Sequence, residues 1–182
     1  MKKIFKFILY ILFFLISLTI LLPKENIYYF VNKKLNEQKI VLNQSGINDE
    51  KVSLNIKDIT VMYDNIEVSN IDTIKLDTFL LFNSLNIKGI NIDSSMTRYV
   101  PKKIDNISAR YSVLNPLKVI FKGSFELGVC NGYVDLLNRI IKIDIEVSQS
   151  FSKKYKHMVK YLKKEKIQKD SKLARYSYEY QY

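Results

Sequence analysis

The sequence predicts a mainly β protein: an N-terminal transmembrane helix followed by a curved, mostly antiparallel sheet with one C-terminal amphipathic helix. Three observations predict this fold class. An unbroken apolar run lies near the N-terminus, apolar and polar residues alternate over most of residues 40–148, and a Lys-rich stretch near the C-terminus has helical spacing. A period of two is typical of strands with one buried face, whereas a period of 3.6 is typical of an amphipathic helix. The alternation covers most of the chain and therefore decides the class.

Residues 1–22 are predicted to form a transmembrane anchor. As a helix, the apolar run from Ile4 to Leu22 would be about 28 Å long, close to the thickness of a bilayer's hydrocarbon core. Lysines cluster at its start, so the positive-inside rule predicts that the rest of the chain lies across the membrane. A cleaved secretory signal shares these features, but it needs small residues at its cleavage site. No Ala or Gly follows the run, which favours an uncleaved anchor.

Residues 23–39 are predicted to form a juxtamembrane helix. Pro23 suits the first turn of a helix, because a proline there lacks an N–H group that would be unpaired anyway. Tyr28 and Tyr29 either fix the depth of the anchor at the lipid headgroups or pack on the following domain. The apolar residues at helical spacing are Ile27, Val31 and Leu35.

Residues 40–148 are predicted to form a β-sheet domain of eight to ten strands. The alternation changes phase after Asp58, which indicates a bulge or a break between two strands. The pair Asn131-Gly132 predicts a tight hairpin turn, since both residues tolerate positive backbone angles. The segment from Ser94 to Asn106 has no period and is predicted to be the longest loop.

The clearest strand pattern lies around residues 118–129 and defines a candidate apolar face. One helix can cover two or three strands of such a sheet, because strands lie about 4.8 Å apart and a helix is about 10 Å wide. The uncovered part must curl on itself, meet a partner or hold an apolar ligand such as an acyl chain. The residues predicted to line this ligand or partner face are Val119, Phe121, Phe125, Leu127 and Val129.

Residues 149–168 are predicted to form an amphipathic basic helix, and residues 169–182 a terminal strand with alternating tyrosines. A basic amphipathic helix can lie on anionic lipid. It can equally cover part of the sheet and leave its Lys face in water. The candidate membrane-surface contacts are Lys153, Lys154, Lys160 and Lys163.

The composition argues against catalysis. One histidine and one cysteine allow neither a histidine-based triad nor a multi-histidine metal site, and no glycine-rich phosphate loop is present. We therefore expect no enzyme activity, no cofactor and no metal. The formal net charge of +11 could attract lipid phosphates; the alternative is that an AT-rich base composition produces part of the lysine excess, which then carries no function. Nucleic acid is not an expected partner beyond a membrane.

Four stretches of the sequence carry a likeness to a known family: LLPKENIYYFVNKKL after the anchor, IDTIKLDTFLLFNSLNIKGINI, FKGSFELGVCNGYVDLLNRIIKIDIEVS and the closing YSYEYQY. They resemble the type II secretion system protein N (GspN) and the wider AsmA-like bacterial envelope proteins. The resemblance implies a single-pass protein of the bacterial inner membrane, with its N-terminus in the cytoplasm and its main domain in the periplasm. It implies a non-enzymatic accessory role in type II secretion through contacts with secretion-system proteins. The alternative is a lipid-binding or lipid-transfer module that holds phospholipid acyl chains on its apolar sheet face.

Overall fold

A computed structural model describes residues 2–21, 23–79, 81–98, 100–165 and 173–182 of the chain. Within these residues the protein is mainly β, with an apolar helix at the N-terminal end and two short helices near the C-terminal end. The helices are α1 Lys2–Leu21, α2 Lys24–Asn36, α3 Gln149–Lys154 and α4 Lys156–Val159. The strands are β1 Ile40–Asp49, β2 Ser53–Tyr63, β3 Ile66–Phe79, β4 Phe82–Ile92, β5 Lys103–Ser112, β6 Asn115–Phe125, β7 Gly128–Asp135, β8 Ile140–Ser148, β9 Lys163–Lys164 and β10 Leu173–Gln181.

The strands form one antiparallel sheet that does not close on itself. Strands β1 to β8 pair in chain order, and β10 then lies between β8 and the two-residue β9. Antiparallel neighbours need only short turns between them, which suits a chain whose apolar runs are separated by a few polar residues. The mainly β, antiparallel fold class predicted from the sequence is confirmed.

One face of the sheet carries almost all the aliphatic side chains, and we call it the inner face. Ile56 on β2 pairs with Ile47 on β1 and with Ile74 on β3. The same row continues through Ile87 and Ile107. Directly paired residues share a face, so the period of two on each strand becomes a continuous apolar layer. The opposite face, which we call the outer face, carries most of the lysines.

The phase shift after Asp58 lies within the continuous strand β2 and is not a break between two strands. Asp58 has a backbone φ of +50°, and strand pairing resumes at Ile59. In β2 and in four further strands one residue of the row that contains Asp58 is skipped by the pairing, opposite a skipped residue on the next strand, so the register from β1 to β5 is unchanged across the row. Ile56 and Ile59 both face inward although they are three residues apart. The other residues of this row are Ser45, Asp72, Gly89 and Asp105.

The helices cover the two ends of the inner face. Tyr28 of α2 is buried against Leu54, Ile56 and Ile59, and its hydroxyl donates a 2.8 Å hydrogen bond to Oε1 of Gln44. This burial, with a smaller effect of Tyr29, raises the pKa of Tyr28. Of the two roles that the sequence left open for Tyr28, packing on the domain is the one observed. At the other end Phe151 and Tyr155 are buried with Val147, Ala174 and Tyr176.

The single helix predicted for residues 149–168 is wrong. Tyr155 adopts φ −110° and ψ 47°, which ends α3, and α4 ends at Val159. The chain is already extended at Lys163, while residues 166–168 lie outside the described residues. After the break, Met158 and Val159 pack against the buried cluster. The predicted terminal strand is β10 from Leu173, and residues 169–172 lie outside the described part.

The hairpin predicted at Asn131-Gly132 is also wrong. Both residues lie inside β7 and pair with Lys122 and Phe121 of β6. A Cβ atom at residue 132 would lie 2.3 Å from the Lys142 carbonyl oxygen and 2.4 Å from Cζ of Phe121, so the glycine makes room for the backbone of β8 and for an aromatic ring on β6. Its sequence signal belongs to cross-strand packing and not to a turn. The predicted loop of residues 94–106 is shorter than expected, since β5 begins at Lys103.

Candidate functional site

The part of the inner face that neither helix covers is the candidate site. Helix α2 packs mainly on β1 and β2, and α3 on β8 and β10. Between the two helices lie apolar side chains that belong to neither buried cluster and are only partly buried. Strand pairing makes them contiguous from β4 to β8. We call this surface the open strip; it consists of Leu85, Ala109, Val119, Phe121, Val134, Ile141 and Ile143.

Two of the five predicted face residues lie in the open strip. Val119 pairs with Val134, and Phe121 lies between Ala109 and Gly132. Phe125 and Leu127 are on the same side but pack against the cluster under α3, with the ring centroids of Phe125 and Phe151 5.2 Å apart.

Val129 was assigned to the wrong face. It pairs with Ser124 on β6 and with Glu146 on β8, and it is exposed on the outer face. The pattern from residue 118 to residue 129 is not one strand, because a two-residue turn at Glu126 and Leu127 reverses the chain. Pairing Phe125 with Gly128 moves every later odd-numbered residue of β7 to the outer face.

Small residues beside the open strip were missed as part of the site. Gly132 leaves space for the Phe121 ring, and Cys130 fills the space left by Gly123. Burial raises the pKa of the Cys130 thiol, although a backbone hydrogen bond at Gly123 opposes this shift. A neutral, half-buried thiol is a weak nucleophile and behaves as a small apolar group. The sequence signal was the alternation of glycine with aromatic residues on adjacent strands.

The chemistry of the open strip is apolar. The row of paired residues that contains Val119 continues to Tyr111 on β5 and Asn83 on β4, whose side chains are polar but uncharged. Within the described part of the chain, no group of three His, Cys, Asp or Glu residues is placed to hold a metal ion. His157, on α4, is exposed. The geometry suits burial of an apolar partner and offers no charged group for acid–base chemistry.

The predicted membrane-surface lysines do not share one helical face. Lys153 and Lys154 lie in the last turn of α3, Lys160 follows α4, and Lys163 is in β9. All four are exposed. Contact of these residues with a membrane stays a prediction.

Two surface depressions lie outside the open strip. One, of about 600 Å³, is on the outer face between Phe79, Phe82, Arg110 and Lys118. The other, of about 550 Å³, lies beside β9 and includes Lys142. Neither contains a residue of the open strip.

The two edges of the sheet differ. At β1 the side-chain amide of Asn32 accepts a hydrogen bond from the Leu42 N–H and donates one to the Leu42 carbonyl. This pairing occupies edge groups that would otherwise be free to bind another strand. At β10 the short strand β9 pairs only with Tyr176 and Ser177, so the described structure gives no outward strand partner for residues 178–181.

Together these features define a class of protein: one open antiparallel sheet, apolar on one face, preceded by a helix long and apolar enough to cross a membrane. The same helix also satisfies the length and hydropathy of a signal sequence. Comparison with protein-family models, curated proteins and solved structures finds no match to this chain.

Proposed function

We propose that the protein is a non-enzymatic envelope protein, anchored in the bacterial inner membrane by α1, that holds a phospholipid acyl chain on the open strip. The observation that carries this proposal is the contiguous apolar surface between α2 and α3. The N-terminus would lie in the cytoplasm and the sheet in the periplasm, as the charge distribution around α1 and the family resemblance both suggest.

The dimensions of the open strip support a lipid ligand. It extends from β4 to β8, which corresponds to about 19 Å at about 4.8 Å per strand. An extended acyl chain has a similar length. A contiguous apolar patch is rare on a soluble protein unless it binds something, and burying it removes its contact with water.

Photo-crosslinking in native membranes tests this proposal with a matched control. A benzophenone amino acid replaces Phe121 in the open strip or Lys122, its neighbour on the outer face. Consecutive residues of a strand point to opposite faces, so the two probes lie at nearly the same height on opposite sides of the sheet. We expect a phospholipid adduct, detected by mass spectrometry, at position 121 and at least fivefold less at position 122. No adduct at position 121, or equal adducts at both, would contradict a lipid on the open strip.

A second candidate is an accessory component of type II secretion that acts through protein contacts. The observation that favours it is the edge of β10, where residues 178–181 can accept an additional strand, while at the β1 edge Asn32 already occupies the backbone groups of Leu42. A photo-crosslinker at Glu179 should then capture a secretion-system protein, and one at Asn43 on β1 should not. Loss of this difference would remove the support for strand addition.

A further inference from the structure

Four hairpin connections lie side by side at one end of the sheet. They join β1 to β2, β3 to β4, β5 to β6 and β7 to β8, and we call this region the hairpin end. Backbone hydrogen bonds link each connection to the next, from Thr78 N–H to the Val52 carbonyl (2.8 Å) and from Val113 N–H to the Leu81 carbonyl (2.9 Å). The series continues from Leu136 N–H to the Leu117 carbonyl (2.8 Å) and from Tyr182 N–H to the Arg139 carbonyl (3.0 Å). The hairpin end is thus one continuous surface.

The hairpin end is rich in exposed apolar side chains. Leu114 is 77% exposed and Leu137 is 69% exposed, although turns normally carry polar residues. At the opposite end of the sheet, the connections within the described residues expose fewer large apolar groups, such as Ile66. The apolar residues exposed at the hairpin end are Val52, Phe79, Leu81, Phe82, Val113, Leu114, Leu117, Leu136, Leu137, Tyr180 and Tyr182.

At least one of these turns has a fixed conformation. The Asp135 carboxylate accepts hydrogen bonds from the backbone N–H groups of Asn138 (2.9 Å) and Leu137 (3.1 Å). These hydrogen bonds, the one with Asn138 foremost, lower the pKa of Asp135. The turn therefore holds Leu137 outward in a defined position.

Helix α2 begins at the hairpin end. Nζ of Lys24, its first residue, lies 3.2 Å from Oδ1 of Asp49 at the last residue of β1. Further along the helix, Asn32 pairs with Leu42 near the start of β1, so α2 runs antiparallel to that strand. Helix α1 ends at Leu21, three residues before Lys24. The apolar helix therefore leaves the domain on the same side as the hairpin end.

We propose that the hairpin end inserts its apolar side chains into the bilayer that α1 spans, so that the sheet stands on the membrane surface. This inference rests on the membrane anchoring proposed above. Leu114, Leu137 and Phe82 enter the outer part of the acyl layer, while Tyr180 and Tyr182 lie at the headgroups, where tyrosine is favoured. Arg110 and Lys118, beside Phe79 and Phe82 in the outer-face depression, bind lipid phosphates.

The arrangement also connects the bilayer to the open strip. The row of the open strip nearest the hairpin end consists of Val119, Val134 and Ile141. Each of these residues lies within a few residues of a turn at that end, on β6, β7 and β8 respectively. An acyl chain can then move from the membrane to the inner face without crossing water.

Depth-dependent fluorescence quenching of the full chain tests the insertion. Each variant carries Cys130→Ser and one new cysteine labelled with the environment-sensitive dye NBD, in vesicles of phosphatidylcholine and phosphatidylglycerol containing lipids spin-labelled near the headgroup. We expect Leu114→Cys and Leu137→Cys to show blue-shifted emission and at least twofold quenching. Asn65→Cys, in the turn between β2 and β3 at the opposite end, should show neither. Because Leu114, Leu137 and Asn65 are exposed, labelling them does not disturb the buried clusters.

Leu12→Cys, in the middle of α1, is measured with lipids spin-labelled deep in the acyl chain. It tests the membrane anchor separately from the insertion of the hairpin end. Quenching at Leu12 without quenching at Leu114 and Leu137 would overturn insertion of the hairpin end and leave the anchor intact. Absence of quenching at all three sites would overturn both. A blue shift at Leu114 without quenching would indicate burial against protein and would overturn insertion. Equal quenching at Asn65 would overturn the upright orientation.

Discussion

Lys24 is the residue that connects the apolar helix to the folded domain. Only 1% of it is exposed, and its ammonium group lies 3.2 Å from Asp49. Burying a charge costs several kcal/mol unless a counter-charge compensates it. The buried Lys24 ammonium group is therefore favourable beside Asp49, and this contact fixes the point at which the chain enters the domain.

Replacing Asp49 with Asn should lower the free energy of unfolding by about 2 kcal/mol, less than for a fully buried pair because Asp49 is partly exposed. Replacing Glu37 with Gln should lower the free energy of unfolding by less than about 0.5 kcal/mol, because Glu37 and its partner Lys34 are both exposed. Urea unfolding in mild detergent, followed by circular dichroism, measures both. Equal losses of stability in the two variants would mean that the Lys24–Asp49 pair stabilises the domain no more than an exposed ion pair does.

Gly89 is one of the residues skipped by the strand pairing in the row that contains Asp58. Its φ of +66° is left-handed, which costs a residue with a Cβ atom about 1–2 kcal/mol. A Cβ atom there would also collide with the Asp72 carboxylate, which must move. We expect Gly89→Ala to destabilise the domain by at least that amount. Gly46→Ala is the matched control, since no atom lies within 4 Å of its added Cβ; urea midpoints that shift equally in both variants would contradict the strained position.

At the scale of elements, α3 stabilises the sheet through one aromatic cluster. Phe151 is 2% exposed, and its ring centroid is 4.7 Å from that of Tyr155 and 5.2 Å from that of Phe125. Phe151→Ala should cost about 3–4 kcal/mol, because it removes buried area and leaves a cavity. Phe30→Ala on α2 should cost less than about 1 kcal/mol, since Phe30 is 62% exposed.

Proteolysis distinguishes local from global loss in the Phe151→Ala variant. If α3 holds only its own end of the sheet, new cleavage should appear near Lys153 and Lys154 before β1 to β4 become sensitive. Simultaneous cleavage throughout the sheet would show instead that this cluster supports the whole domain. The native chain, cleaved under the same conditions, provides the reference.

The elements also show what the sequence could predict. Alternation was enough for the antiparallel sheet, for the irregularity at Asp58 and for Val119 and Phe121 on the apolar face, because these depend on neighbours along the chain. The two central residues of the turn, Glu126 and Leu127, are not typical turn residues. The alternation placed Gly128 inside a strand, so the face of Val129 was wrong. Gly132 carried a turn signal although its role is to face an aromatic ring on the next strand. The hairpin end depends on the strand order, which no local pattern contains.

For the whole molecule, the decisive question is whether α1 stays attached and where it leaves the sheet. An uncleaved anchor and a signal sequence differ in the mature chain: the anchored protein retains residues 1–22 and resists extraction from membranes by alkaline carbonate. We expect the full-length mass in the membrane fraction. A soluble product lacking the first twenty or so residues would contradict the anchor.

Accessibility then tests the orientation of the anchored chain. With Cys130→Ser as background, a membrane-impermeant maleimide added to spheroplasts should label Asn65→Cys, because the sheet lies across the membrane from the lysine-rich start of α1. Lys3→Cys should be labelled only after the cells are lysed. If the hairpin end also contacts the bilayer, Leu114→Cys should react at least fivefold more slowly than Asn65→Cys, although both residues are exposed in the structure. The reverse labelling of positions 3 and 65 would place the sheet in the cytoplasm, where neither a periplasmic lipid nor a periplasmic secretion partner could reach it.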